Sequence, residues 1–296
     1  MKLGINLLNF GPSATPRNFE KWARFAEDNG FDALMISDHV AVTPDVQARY
    51  PAPFYDPFIV LGWIAGMTTR IEIGTTVTIL PYRHPLQVAR VTANLDVISG
   101  GRFIFGVGVG WAKQEFESLG IPFERRGAIA NESLTAIKLC WTEDVATHEG
   151  RFFSFKDVHT APRPVRHPHP PIWVGGSSDR ALQRAVRYGD AWHPIRVRVD
   201  WLRDTGLPRL REIAAAEGRK IPALCPRIML DLREHALPEN ERVAGQGSLE
   251  QVRGDLRALA ELGSAYVVLD TYSGKPADTE SLDHHWAMLD QVLSLK

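Results

Sequence analysis

The chain has 296 residues, of which 44% are hydrophobic and 23% charged, an ordinary make-up for a globular protein. Its 34 basic and 35 acidic side chains leave a net charge of -1, so nothing in the charge draws it to nucleic acid or to an anionic membrane. Cys140 and Cys225 are too few for a disulfide framework, MKLGINLLNFG has no signal-peptide run, and no apolar run approaches the roughly 18 residues of a membrane span.

These features predict a reduced, cytoplasmic protein with a large core. Along the chain, short apolar runs of strand length alternate with longer stretches of helical period. Strands are predicted at 3–8, 33–37, 71–80, 103–109, 172–175, 191–195, 225–232 and 266–271. Helices are predicted at 17–29, 56–68, 84–98, 128–140, 178–188, 200–217, 248–262 and 281–294. In the first helix Phe19, Trp22, Ala23, Phe25 and Ala26 share a face opposite Arg17, Lys21, Arg24 and Glu27, and Gly30 ends it. Ser177 or Ser178 caps the fifth, and Gly189 stops it. The strands are nearly continuous apolar runs, as strands buried on both faces should be. Eight strands alternating with eight helices predict a single-domain (β/α)₈ TIM barrel over residues 1–296, with a doubly wound open sheet as the alternative.

Most strand-to-strand steps span about 20–40 residues, but the step from 103 to 172 spans 69. The excess places an insertion after strand 4, near 141–171. It contains THEGRFFSFKDV, a small hairpin turning at Gly150, and ends in APRPVRHPHPP, a stiff extended connector. Ordered insertions in barrels often cover active sites. Two further irregular stretches, 40–55 and 233–247, follow strands 2 and 7 and should emerge at the C-terminal rim, where barrel enzymes keep their chemistry.

Gly106, Gly108 and Gly110 form GxGxG after strand 4, but Trp111 and Lys113 break both registers of a dinucleotide fingerprint. No GxxxxGK[ST], GxSxG or HExxH is present, and the histidines lack metal-ligand spacing, so no metal is expected. Gly175-Gly176-Ser177-Ser178 joins strand 5 to a helix, and is either an anion-binding loop or a plain turn with a good cap. Asp38-His39 closes strand 2 at the rim; His39 is either an acid/base that Asp38 orients or a satisfied rim histidine. His193, at the end of strand 6, has a packing or a catalytic role. Trp111, just past strand 4, is placed to wall a flat ligand pocket.

Five segments in order, KLGINL, AEDNGFDALMISDH, IEIGTTVTILPYRHP, GGRFIFGVGVGWAKQEFESLG and IWVGGSSDRALQRAVRYGDAWHP, resemble the luciferase-like monooxygenase superfamily, above all its deazaflavin (coenzyme F420) dependent branch. The resemblance covers nearly the whole chain and implies a (β/α)₈ barrel with an insertion after strand 4. It implies Asp38 and His39 beside the reactive ring, a non-prolyl cis peptide at Thr76–Val77 behind it, and Gly175, Gly176 and Ser177 at the cofactor phosphate. With Gly108, Trp111 and His193 these make up the expected cofactor site, His39 and Asp38 the expected catalytic pair. Where some deazaflavin dehydrogenases carry a Glu after strand 4, this chain has Trp111, with Glu115 four residues on. That departure argues against oxidation of a sugar phosphate by the same route.

The implied activity is hydride transfer between coenzyme F420 and a small organic substrate. The alternatives are an FMN-dependent monooxygenase served by a separate flavin reductase, and a flavin-binding barrel without turnover. A homodimer through helices 56–68 and 84–98 is expected.

Overall fold

The computed structural model describes residues 1–294. Besides a two-stranded pair, Asp231–Leu232 with Gln246–Gly247, the strands are β1 (Lys2–Leu7), β2 (Ala33–Ile36), β3 (Glu72–Thr75), β4 (Thr78–Ile79), β5 (Phe103–Gly108), β6 (Val145–Glu149), β7 (Ser154–His159), β8 (Ile172–Gly175), β9 (Ala191–His193), β10 (Ala223–Leu224), β11 (Arg227–Met229) and β12 (Tyr266–Asp270). The longer helices are α1 (Pro16–Asp28), α2 (Pro57–Met67), α3 (Pro85–Ile98), α4 (Arg126–Thr142), α5 (Asp179–Tyr188), α6 (Leu207–Ala216), α7 (Leu249–Glu261) and α8 (Asp283–Leu293).

The main sheet runs β10-β9-β8-β5-β3-β2-β1-β12-β11, with β4 on β5, and every pairing in it is parallel. Only Cys225 and Pro226 separate β10 from β11, so one stretch of chain borders both ends of the path. Cys225 N donates to Trp192 O (2.9 Å) and Arg227 N to Pro194 O (2.8 Å), while Val268 N on the other side donates to Pro226 O (2.9 Å). The parallel sheet is therefore curled, with helices outside.

Period-two burial divides the core. Ala33 and Met35 of β2 join Ile104, Trp173, Ala191, Cys225 and Val268 in a cluster inside the curl. Leu34 and Ile36 turn outward into the larger layer between sheet and helices. Trp22, Phe19 and Ala26 of α1 face that layer, as the helical period predicts. Thr15 caps α1, Asp56 caps α2 through Phe58 N and Ile59 N, and Ser178 rather than Ser177 caps α5.

The predicted strand 71–80 breaks at Thr76–Val77, whose peptide bond is cis. The chain bulges there against β5, which explains the glycines of that strand. A Cβ on Gly106 would lie 1.8 Å from Thr75 O, and one on Gly108 would lie 2.6 Å from Val77 Cγ2. GxGxG is a packing motif here.

The hairpin β6–β7 forms as predicted, but it is fastened to the outside of the sheet-and-helix body. The Glu132 carboxylate on α4 accepts from the amides of Arg151, Phe152 and Phe153, and Arg90 on α3 donates to His159 O and Ala161 O. No residue of 141–171 or of 233–247 lines the cavity described below, so the expected cover over the site is not there. Among the described residues no helix is long and apolar enough to cross a membrane, and no His/Cys/Asp/Glu group could hold a metal.

Candidate active site

At the C-terminal ends of the strands lies a cavity of about 250 Å³. Asp38, His39, Thr76, Val77, Gly108, Trp111, Gly175 and Gly176, all anticipated, line it together with Tyr50, Ile79, Val109, Ile195 and Arg227. Topology explains the convergence, since these residues sit at the ends of adjacent parallel strands and on the loops that follow them.

His39 lies three residues past the end of β2 and is buried but for its edge on the cavity. Its Nδ1 lies 2.6 Å from Glu115 Oε2, 76 residues away on the short helix Lys113–Ser118. The same carboxylate oxygen accepts from Tyr82 Oη (2.8 Å), and Oε1 accepts from the amides of Val40 (2.7 Å) and Ala41 (2.9 Å). Glu115 is wholly buried. Burial pushes its carboxyl up, but the bond and charge of His39 and the two amides outweigh that and hold it below the usual carboxylate range. Burial and the adjacent carboxylate push the Tyr82 phenol far up, so its proton stays on and points at Glu115. A carboxylate that only accepts requires the Nδ1–H form of His39. His39 Nε2 then has no protein partner among the described residues and opens to the cavity.

Asp38 does not perform the orienting role expected of it. Its carboxylate receives Arg83 in two bonds (2.7 and 2.9 Å) and the Ile79 amide (2.9 Å), so it braces the bulge after Thr76. Arg83 extends the chain to Asp56 (3.0 Å), the cap of α2. Burial works against the Arg83 charge, but the two aspartates hold its guanidinium above the ordinary value.

His193 lies behind the cavity wall and does not line it. Its Nδ1 donates to Cys225 O (2.5 Å) and its Nε2 accepts from Thr76 Oγ1 (2.8 Å). Full burial holds it down to about 4, so it is a neutral imidazole that supports Thr76 from behind. Arg227 supports the same residue: Nη1 donates to Thr76 O (2.6 Å), while Nε (3.0 Å) and Nη2 (2.7 Å) grip Asp270. Asp270 also accepts from Asn6 Nδ2 (3.0 Å).

A second groove, of about 480 Å³, shares Val109, Gly175 and Gly176 with the cavity. Arg126, Arg180, Arg184 and Arg187 line it with one acid, Glu124, and Arg187 is paired outside the groove lining with Glu217 (2.9 Å). Gly176, at φ 103°, leaves bare backbone where the two spaces meet, and a Cβ there would lie 2.9 Å from Ala181. Ser177 is exposed and lines neither space, its place as helix cap taken by Ser178. Sequence reasoning missed Arg227, Asp270 and Asn6, although each is a polar residue inside an apolar strand run. It also missed the pairing of Glu115 with His39, for which no local signal exists.

The model of the luciferase-like monooxygenase family matches residues 1–244. The F420-dependent glucose-6-phosphate dehydrogenase of Kineococcus radiotolerans is 31% identical over 209 residues, which cover 69% of this chain and 60% of that one. Among solved structures, an F420-dependent secondary alcohol dehydrogenase in complex with an F420-acetone adduct superimposes with a TM-score of 0.81 at 17% identity, over 100% of this chain and 98% of the other. The oxygenating constituent of 3,6-diketocamphane monooxygenase from Pseudomonas putida, a type II Baeyer-Villiger enzyme in complex with FMN, gives 0.77 at 18%, over 100% and 96%. The parallel curled sheet, the cavity at its strand ends and a family match over most of the sequence agree: the chain belongs to the luciferase-like monooxygenase family.

Proposed function

We propose that the protein is a coenzyme F420-dependent oxidoreductase that moves a hydride between the deazaflavin and a small organic substrate. The observation that carries this reading is a cavity that holds His39 adjoining a groove lined by arginines, the two sharing Val109, Gly175 and Gly176. His39 Nε2 opens to the first, where Glu115 fixes the ring and stabilises it when charged. Arg126, Arg180 and Arg184 of the second suit an anionic cofactor tail, Arg187 being already paired with Glu217, with the backbone of Gly175 and Gly176 at the junction. Val77, Val109 and Ile79 offer apolar surface to a flat ring, and Thr76, held by His193 and Arg227, offers a fixed polar edge. When bound, a reduced deazaflavin supplies the hydride, and the protein supplies orientation and the proton. The fold is read as the (β/α)₈ barrel, β3 with β4 and β10 with β11 each counted as one strand.

FMN carries one phosphate, so an arginine-rich groove favours the longer anionic tail; FMN with a separate reductase remains the second reading because the ring-binding surface suits either. Titration of the protein with F420 and with FMN, followed by tryptophan fluorescence, separates them. Tight F420 binding with weak FMN binding, and no oxygen uptake with the reduced cofactor, is the expected result. The reverse preference with oxygen uptake overturns it.

A homodimer through α2 and α3 belongs to the same reading. Ile59 (75% exposed) and Trp63 (43%) on α2 lie with Ile98 (61%) on α3 as uncovered apolar side chains. Sedimentation should give a dimer that Trp63→Glu converts to monomer. The cytoplasm is the compartment of this reading, in keeping with the two free, buried thiols Cys140 and Cys225.

A further inference from the structure

The charged groups on the cavity wall are already committed. Asp38 is saturated by Arg83 and the Ile79 amide, and Arg227 by Asp270 and Thr76 O. A phosphate or carboxylate entering there would lose its water without meeting a free cation. Arg49 lies close by, but its guanidinium stacks 4.8 Å over the Trp111 ring and does not line the cavity. Arg196, next to Ile195, turns to Ser273 O.

Besides the Trp111 indole N–H, two side-chain polar atoms on the wall have no protein partner among the described residues: His39 Nε2 and the Tyr50 hydroxyl. Their rings are 5.3 Å apart. Tyr50 is fixed by edge contacts with Phe10 (5.1 Å) and by Tyr272 (5.8 Å). Around them the mouth is apolar. Trp111 stands edge-on to His39 at 5.8 Å and remains 39% exposed, and Ile195 is 49% exposed. Large apolar side chains left open around a cavity with one polar pair are the pattern of a site for an apolar ligand with one oxygen.

We propose that the substrate is an uncharged, largely apolar carbonyl compound or the corresponding alcohol, its oxygen held by His39 Nε2 and Tyr50 and its carbon body by Trp111 and Ile195. The inference rests on the oxidoreductase reading. In the reducing direction the carbonyl carbon takes the hydride of the reduced deazaflavin and the oxygen takes the Nε2 proton, giving the alcohol and the oxidised cofactor. The oxidising direction reverses both transfers. Trp111, expected from the resemblance to touch the cofactor, is here assigned to the substrate.

The test is calorimetric binding of cyclohexanone and of glucose 6-phosphate, each to the bare protein and to protein saturated with oxidised F420. Cyclohexanone should bind in at least one form and glucose 6-phosphate in neither. Trp111→Ala should weaken cyclohexanone at least tenfold while the F420 dissociation constant stays within twofold. Tyr50→Phe, which keeps the ring, should weaken it about three- to tenfold. Glucose 6-phosphate binding that Arg49→Ala abolishes, cyclohexanone binding in neither form, or a Trp111→Ala effect on F420 alone would overturn the assignment. Failure of F420 to bind strikes the cofactor reading instead, and the bare-protein titration still decides the substrate class.

Discussion

Replacing Glu115 with Gln perturbs the structure at one oxygen and one charge. In the native site Oε1 takes two backbone amides and Oε2 takes His39 Nδ1 and the Tyr82 hydroxyl, all between 2.6 and 2.9 Å. Gln keeps an acceptor for the amides but turns an NH₂ toward the other two. Each lost charge-assisted bond is worth about 1.5–3 kcal/mol. Tyr82 can rotate its proton away and His39 can move its own to Nε2, each recovering a neutral bond of about 1 kcal/mol. The net loss is then about 1–4 kcal/mol, or a fall of several degrees in Tm for a chain of this size. The tautomer is the sharper readout. In wild type the neutral ring carries its proton on Nδ1, and in Glu115→Gln it should carry it on Nε2, which ¹⁵N NMR of the imidazoles distinguishes. Loss of the correct tautomer and of the carboxylate beside the imidazolium should lower kcat on the order of 10³- to 10⁴-fold with little change in F420 affinity. A variant with Nδ1 still protonated, or with kcat within threefold of wild type, would refute the claim that Glu115 positions His39.

Other perturbations have equally definite outcomes. Burial holds His193 down to about 4 against its ordinary 6.5, so between those values the unfolded chain binds the proton that the native state refuses. Its contribution is complete above pH 6.5 and lost as pH falls toward 4, a decline of about 3 kcal/mol. Urea midpoints measured across that range should flatten in His193→Gln, which can still bridge Thr76 and Cys225; an unchanged slope would place the pH dependence elsewhere. Arg227→Ala leaves Asp270 buried without its cation and should cost about 3–5 kcal/mol in chemical denaturation; a loss below 1 kcal/mol would mean that the pair is not coupled. Gly106→Ala sets a Cβ 1.8 Å from Thr75 O and should destabilise by about 3 kcal/mol or prevent folding. Gly254→Ala, in α7 with no atom within 4 Å of the added Cβ, should instead stabilise by about 0.5–1 kcal/mol. If both glycine variants melt alike, the crowding argument for β5 fails.

Hydrophobic period exposed much of the architecture because it records which faces are buried. The outward residues of β2 and the inner face of α1 follow directly from it. The splits at Thr76–Val77 and Cys225-Pro226 are invisible to period, since an apolar run reads the same straight or bulged. The site was legible where a residue type announces chemistry at a strand end, as at His39 and Gly176. It was illegible where chemistry depends on a partner distant in sequence. Asp38 adjoins His39 in the chain, yet successive residues in extended backbone point to opposite sides, so the neighbour serves Arg83 and a glutamate 76 residues away serves the histidine. The hairpin was legible as a hairpin, but its anchorage to Glu132 and Arg90 depended on helix positions that spacing does not encode.

Bonds run from Asn6 to Asp270, from Asp270 to Arg227, from Arg227 to Thr76, from Thr76 to His193, and from His193 to the carbonyl of Cys225. Taken as a mechanical part, this chain is a tie rod through the curled sheet, joining neighbouring strands at its ends and, at Thr76, strands that share no edge. Because its links are buried and several carry charge, pulling one strand outward loads the others. The floor of the cavity therefore holds its shape before any ligand arrives, and little ordering entropy is left for binding to overcome there.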